Sequence, residues 1–442
     1  MKRLFKIIIS LLLIAASLIS CGGSDNAEGS TGGAGAPDDA GTKTSENNVD
    51  PQKEERADAM VKIIFDNYAL LTGSGDKGVL NLKEYHNKDQ SGYLWSNFCG
   101  VGMQYYYCKL HPEDETQKTV FRQMINNFKY FRQVNPSVNK AENSVKYHSG
   151  RGPREGRGSG DCFFDDNIWV ARNYLRAYEI LGDSWYLEEA VRVNNWVISG
   201  WDDKLGGIVW SERGLRDDAD EQHLERGLSA NACGIIVNAE LAKLATTDGQ
   251  RAFYKEWAEK FYAFCKKMQN LPESYDYWNG IRTVIVNGVR KDGEINRVHY
   301  SYNSGSMIIA DLRMYDIETD EAKKAEYLKD AKGTAGAAKN TFFEIDSASG
   351  KQYCKGDPWF AAILCESYYE LYGYEPTLAG RYLALFAKNA EYAYSNRDTK
   401  TGLFPYKATA KNTFSKNESY VIHQVGVAEQ AVIAALYEKE KN

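Results

Sequence analysis

Over 442 residues the chain balances 54 Lys and Arg against 60 Asp and Glu, a formal net charge of −6. That balance argues against nucleic acid as a partner, because neutralising a phosphate backbone takes a concentrated excess of basic side chains. Apart from Cys21, seven cysteines (Cys99, Cys108, Cys162, Cys233, Cys265, Cys354 and Cys365) form no CxxC or zinc-ligand spacing, and their odd number leaves at least one unpaired.

The first segment in chain order reads as an export signal: Lys2 and Arg3 precede an apolar run from Leu4 through Ile19 that is too short for a stable membrane span. It ends in Leu18-Ile19-Ser20-Cys21, which resembles a lipobox. Residues 1–20 are therefore expected to be removed and Cys21 to become a lipidated N-terminus, the alternative being an ordinary secretory signal with a chance cysteine. Residues 21–51 are mostly Gly, Ser, Ala, Asp and Thr, with too little apolar surface to fold, and form an expected flexible tether. No second composition break follows, so residues 52–442 are expected to be one large domain. It would be held in the bacterial cell envelope, at the outer membrane, touching the membrane through the lipid alone.

Apolar residues then recur at helical spacing. Ala57, Met60, Ile64, Tyr68 and Leu71 share one face of a predicted helix over 52–71, and Phe121, Met124, Ile125, Phe128 and Phe131 share one over 115–133. Further helices are predicted at 93–109, 166–181, 184–199, 228–246, 250–268, 304–317, 320–340, 358–373, 376–395 and 421–439. Short turns such as Gly182-Asp183 and Thr247-Asp248-Gly249 force antiparallel helix hairpins. One longer loop carries a predicted β-hairpin, residues 282–286 and Val289 about the pair Asn287-Gly288, because Asn-Gly favours positive φ. If hairpins repeat, the helices starting near 93, 166, 229, 304, 358 and 421 run parallel. Twelve helices, six inside six, make an all-α (α/α)6 toroid; an open solenoid of helix pairs has the same periodicity.

In the toroid those six starts share one rim, which gathers Tyr93-Leu94-Trp95, Asp165-Asp166, Asn231, Tyr302-Asn303, Lys355-Gly356-Asp357 and His423-Gln424. Each group alone is an ordinary cap or packing residue. Together they offer aromatic faces and hydrogen-bonding groups, which a carbohydrate site needs. Trp95, Asn231, Tyr302, Asn303, Lys355 and Gln424 are accordingly candidate substrate-binding residues. The 30 Tyr and 9 Trp fit sugar platforms but equally fit bulky helix packing.

Glycoside cleavage in its usual form needs two carboxyl groups, and Asp165-Asp166 is the best-placed pair. Asp38-Asp39 lies in the tether, Asp202-Asp203 before a turn, and Asp217-Asp218 in the charged run 216–226, all expected as solvated surface. A helix N-terminus stabilises one carboxylate as the anion a nucleophile must be, and its close neighbour should then keep the proton a general acid delivers. No HExxH, nucleophile elbow or phosphate-binding Gly-rich loop competes, so no metal or cofactor is expected. Arg151, Arg154 and Arg157, in the Gly-rich loop upstream, form either a mobile solvated loop or a lip for anionic glycan groups.

The segment Phe164-Asp165-Asp166-Asn167-Ile168-Trp169, followed by Leu175-Arg176-Ala177-Tyr178 and Gly182-Asp183-Ser184-Trp185-Tyr186-Leu187, resembles the signature of glycoside hydrolase family 76, the endo-α-1,6-mannanases. Tyr93-Leu94-Trp95, Gly206-Gly207-Ile208-Val209-Trp210, Ser229-Ala230-Asn231-Ala232, Tyr302-Asn303-Ser304-Gly305, Lys355-Gly356 and His423-Gln424 agree in order, from about residue 57 to 438. The resemblance implies an (α/α)6 fold and retaining hydrolysis of α-1,6-mannan, with Asp165 as nucleophile and Asp166 as general acid/base. Departures at Phe164, Val170 and Ala230 bear on subsite preference. The rival readings are a surface glycan-binding lipoprotein on an inactive toroid and a toroid glycosidase of other linkage.

Overall fold

The computed structural model describes residues 51–133, 142–216, 221–271, 274–410 and 419–441. The signal segment, Cys21, the tether, Asp38-Asp39 and Asp217-Asp218 lie outside the described residues. Twelve α-helices are present among those described: α1 (Pro51–Tyr68), α2 (Leu94–Leu110), α3 (Glu115–Asn127), α4 (Phe164–Leu181), α5 (Ser184–Ile198), α6 (Leu228–Leu244), α7 (Asp248–Lys266), α8 (Ser301–Ile317), α9 (Glu321–Phe342), α10 (Pro358–Tyr372), α11 (Pro376–Ser395) and α12 (Val421–Lys441).

The even-numbered helices pack in sequence, α2 on α4, α4 on α6 and so on, and α12 closes back on α2. That contact decides for the toroid over the solenoid. The remaining helices form the outer layer, and burial follows from position. An inner helix has neighbours on every side, so α6 is buried at each residue from Leu228 to Ala239 and α12 at each from Val421 to Leu436. An outer helix buries one stripe, as α7 does with Tyr254, Ala258, Phe261, Phe264 and Cys265. The seven described cysteines are all unbridged, and all but Cys354 are buried.

Boundaries differ from the predicted ones where polar or strand-forming residues meet the apolar stripe. The first helix stops at Tyr68, because Ala69–Thr72 (β1) pairs antiparallel with Val79–Leu82 (β2). The third stops at Asn127; a 3-10 turn follows, and Arg132–Gln133 (β3) pairs with Lys146–Tyr147 (β4). α4 and α8 begin two and three residues earlier than their apolar periodicity, since their first turns face the mouth and carry Asp165, Asp166 and Tyr302.

Of the remaining strands, Arg226–Gly227 (β5) pairs with Gly280–Val286 (β6), and β6 with Val289–Asn296 (β7). The predicted hairpin is thus present and longer than expected, with Asn287 and Gly288 at φ 53° and 75°. Arg226, in the run expected as solvated, is fully buried and binds Thr283, Asp292 and the carbonyls of Leu205 and Gly206, tying this hairpin to the α5–α6 loop. Phe343–Ile345 (β8) pairs with Gln352–Cys354 (β9) ahead of α10.

The barrel interior below the mouth is charged. Arg172 and Arg176 of α4 reach across to Glu366 of α10, and Arg313 of α8 bridges Glu240 of α6 and Glu370 of α10 at 3.0 and 3.1 Å. Burial alone would raise the Glu366 carboxyl, but the two guanidiniums bring it down to about 2. Glu429 of α12 is pushed up to about 8 by burial and then by Glu366. Neither of its oxygens has a hydrogen-bond partner among the described residues.

Candidate active site

Outer helices α3, α5, α7 and α9 start on side-chain caps from Asp114, Asp183, Thr247 and Asp320. Inner helices α2, α4, α6 and α8 have no such cap. In three of them a loop carbonyl takes the first N–H: Ser149 O for Leu94, Trp210 O for Phe164, and Asn279 O for Leu228. The loops of the mouth are thereby attached to the helix ends, and the positive ends of the helix dipoles gather there.

A second device repeats one turn in. The Asn167 side chain accepts from Tyr147 N and donates to Tyr147 O at 2.7 and 2.9 Å. Gln424 grips Phe404 in the same way, at 2.7 and 2.8 Å. Asn231 accepts from Ile208 N and donates to Gly227 O, while Asn97 accepts from Leu82 N. At α10, whose fourth residue is Ala361, the grip comes from α11: Asn389 accepts from Cys354 N and donates to Gln352 O. Asn231 and Gln424, expected to bind sugar, are buried with their amides used on backbone. Asn303 is also buried and donates to Asn279 Oδ1. Lys355 is 48% exposed and lies 3.7 Å from Glu344 on β8. Asn231 and Gln424 thus serve the loops, whereas the Oδ1 of Asn303 has no hydrogen-bond partner among the described residues.

Trp95 and Tyr302 belong to one aromatic cluster, and the Asp165 charge is felt at Tyr302. At its centre is the buried Trp359 ring, 5.8 Å from Trp95, 6.0 Å from Phe98, 5.5 Å from Trp169, 6.4 Å from Tyr302 and 5.9 Å from Phe360, of which Trp95, Tyr302 and Phe360 are half-buried and form the aromatic floor. The cluster joins α2, α4, α8 and α10. Trp359 and Phe360 escape the sequence reading because aromatic residues on an inner helix look like core. A second aromatic surface flanks α4 at the rim: Trp210, 38% exposed, lies 4.8 Å from Phe163 and stacks on His223, whose Nδ1 is 2.8 Å from Ser211 Oγ.

Asp165 and Asp166 stand in the first turn of α4, anchored by Phe164, which stacks on Trp196 at 4.2 Å. Successive residues on a helix point about 100° apart, so the two side chains diverge. Asp165 turns towards α6, where Ser229 Oγ donates to it at 2.8 Å, and the Trp169 indole also hydrogen-bonds it. The charge of Asp166 is felt at Cys99 of α2. Burial raises Asp165 to about 6 against the opposing hydrogen bonds of Ser229 and Trp169. Asp166 is raised to about 8, first by burial and then by the Asp165 charge. At neutral pH the site thus holds one anion and one proton donor side by side.

The rival acid pair at the α5–α6 loop serves the turn: Asp202 accepts from Lys204 N and Leu205 N, and its side chain is nearly buried rather than solvated. The Gly-rich loop is pinned by Gly152 N to Tyr130 O, Gly156 N to Lys129 O and Gly158 N to Arg132 O. Arg151 lies over the Tyr130 ring and donates to Asn127, whereas Arg154 and Arg157 are exposed.

The family model described as glycosyl hydrolase family 76 matches residues 79–442. Among solved structures, a family 76 glycoside hydrolase (mannosidase) of Bacteroides thetaiotaomicron is 18% identical, with a TM-score of 0.71, covering 88% of this chain and 100% of its own. An inactive variant of an α-1,6-mannanase of Salegentibacter, in complex with α-1,6-mannotetraose, is 19% identical with a TM-score of 0.64, covering 87% and 99%. Dfg5 of Chaetomium thermophilum, in complex with glucosamine, is 15% identical with a TM-score of 0.60, covering 89% and 90%. No curated protein matches the chain.

Proposed function

The chain belongs to glycoside hydrolase family 76, and from that premise we propose that it hydrolyses α-1,6-mannosidic bonds within mannan-type polysaccharides, with retention of configuration, through Asp165 and Asp166. The observation that carries this reading is the division of labour within the pair. Asp165, held as an anion by Ser229 and Trp169, attacks the anomeric carbon while Asp166 gives its proton to the departing glycosidic oxygen. A water then forms its bond to that carbon, releases Asp165 and returns a proton to Asp166. Aromatic surfaces on the floor and at the Trp210 rim support sugar units on both sides of the broken bond, hence internal cleavage. The mannotetraose complex of the Salegentibacter enzyme supports the linkage.

The protein incubated with unbranched α-1,6-mannan is expected to release short mannooligosaccharides of retained anomeric configuration, and the Asp165→Asn variant none. Binding without products would instead favour glycan capture, and inverted products would overturn the covalent step. We also propose that Cys21 carries the lipid that fixes the protein in the cell envelope. No helix among the described residues is long and apolar enough to cross a membrane. Cys21→Ala should release the protein from the membrane fraction, and its retention there would refute the anchor.

A further inference from the structure

The two-aspartate mechanism leaves one carboxyl group at the mouth without a part. Asp357 immediately precedes α10, which stands three places around the six-helix ring from α4, and its charge and that of Asp166 are both felt at Cys99 of α2. Its Oδ1 accepts from Trp359 N at 2.9 Å, and its Oδ2 lies 2.8 Å from His423 Nε2. The side chain is 17% exposed, and each oxygen keeps a further lone pair. Trp359, two residues on, is 5% exposed, and the half-buried Trp95, Tyr302 and Phe360 packed around it carry the open aromatic surface beside this carboxylate.

His423 is built to hold this one orientation. It projects from the first turn of α12, which approaches α10 closely because position 426 is glycine: a Cβ there would stand 2.5 Å from Trp359 N. Tyr406 and Tyr420 meet the imidazole edge-on at 4.8 and 5.0 Å, leaving the residue 7% exposed. Capping a helix does not call for such an arrangement. Asp114, Asp183 and Asp320 cap outer helices with no imidazole bonded to them.

A carboxylate whose two oxygens are fixed beside an aromatic face has the chemistry of a sugar subsite: the ring lies under the C–H face of a pyranose and the oxygens accept from its hydroxyls. We propose that Asp357 is a substrate-binding residue that accepts hydroxyl hydrogen bonds from a sugar unit seated on the half-buried rings of Trp95, Tyr302 and Phe360, and that His423 is the positioning residue that fixes its carboxylate. The proposal rests on the hydrolase reading above and adds to it a group that holds the sugar.

The test compares initial rates on α-1,6-mannotetraose for the full protein and four variants. Asp357→Asn keeps a good cap, so its melting temperature should stay at the wild-type value, while kcat/KM falls about 100-fold, mostly through KM. His423→Phe keeps the aromatic packing but loses the donor and should lose about tenfold, of which His423→Gln, with an amide N–H to offer, recovers most. The double variant Asp357→Asn/His423→Phe should be no worse than Asp357→Asn alone, because the imidazole acts through the carboxylate. An unchanged KM in Asp357→Asn, or a loss matched by a fall in melting temperature, would identify a mere tie between helices and overturn the proposal. Wild-type protein that neither cleaves nor binds the tetrasaccharide would overturn the α-1,6-mannan reading and the proposal together. Cleavage by wild type beside an indifferent Asp357→Asn would overturn the proposal alone.

Discussion

The first turn of α4 and its third and fourth turns place buried carboxyl groups in opposite states. At the mouth, Asp165 and Asp166 have hydroxyl, indole and each other for company, and both are raised. Two turns lower, Arg172 and Arg176 of the same helix surround Glu366 and hold it near 2, although burial there works in the same direction as above. Neighbours, rather than depth, decide which carboxyl keeps its proton. The arginines extend no such effect to the mouth: neither figures among the groups that set Asp165 or Asp166, and the helix thus carries a reactive end and an ion-paired middle.

The largest effect should come from removing the reactive end. Asp166→Asn should lower kcat by about 10²- to 10⁴-fold and Asp165→Asn by at least as much, with folding intact by circular dichroism. For wild type the pH–rate profile should rise through about 6, as Asp165 ionises, and fall through about 8, as Asp166 loses its proton. Both limbs belong to the coupled pair. A flat profile over that range would break the contrast with Glu366.

The ion-paired middle should instead answer in stability. Glu366→Gln leaves two buried guanidiniums without their anion and should cost about 3 to 5 kcal/mol in denaturant unfolding. A full-length variant of wild-type stability would mean that the arginines find other partners. Next in size, Asn231→Ala strands Ile208 N and Gly227 O and should cost about 1 to 3 kcal/mol. If sugar binding were the residue's main role, the same variant would keep its stability and lose affinity.

The smallest effect sharpens the comparison. Glu429 sits near the arginines yet titrates like the mouth, raised from 4.5 to about 8. The stability that its protonated form lends is complete below about 4.5 and is lost as pH rises through about 8. Glu429→Gln should therefore match wild type in melting temperature at pH 5 and lose less of it on going to pH 8. A variant that tracks wild type throughout would show the carboxyl to be ionised already at pH 5.

Much of this molecule was legible without coordinates. Helix number and order follow from apolar spacing because inner and outer helices bury their residues so consistently, and Asp165-Asp166 stands out because two acids open a helix that is otherwise core. The amides were harder. Asn231 and Gln424 occupy rim positions, but nothing in their local sequence distinguishes an amide that meets a sugar from one that meets a peptide. Lys355 shares a short segment with Asp357, and only the fold shows that Asp357 meets His423 while Lys355 stands exposed beside Glu344. Phe360 was hidden for the opposite reason, since an apolar residue on an inner helix is expected to be packing and here is half-buried beside Trp95 and Tyr302.

The amide grips have a consequence for divergence. Asn167 and Gln424 hold the peptide groups of Tyr147 and Phe404, and a peptide group is the same whatever side chain it bears. The loops that shape the mouth can thus exchange side chains freely while their attachment to the ring is preserved. A scaffold fastened in this sequence-blind way lets new glycan preferences be tried one loop at a time, without renegotiating the barrel beneath.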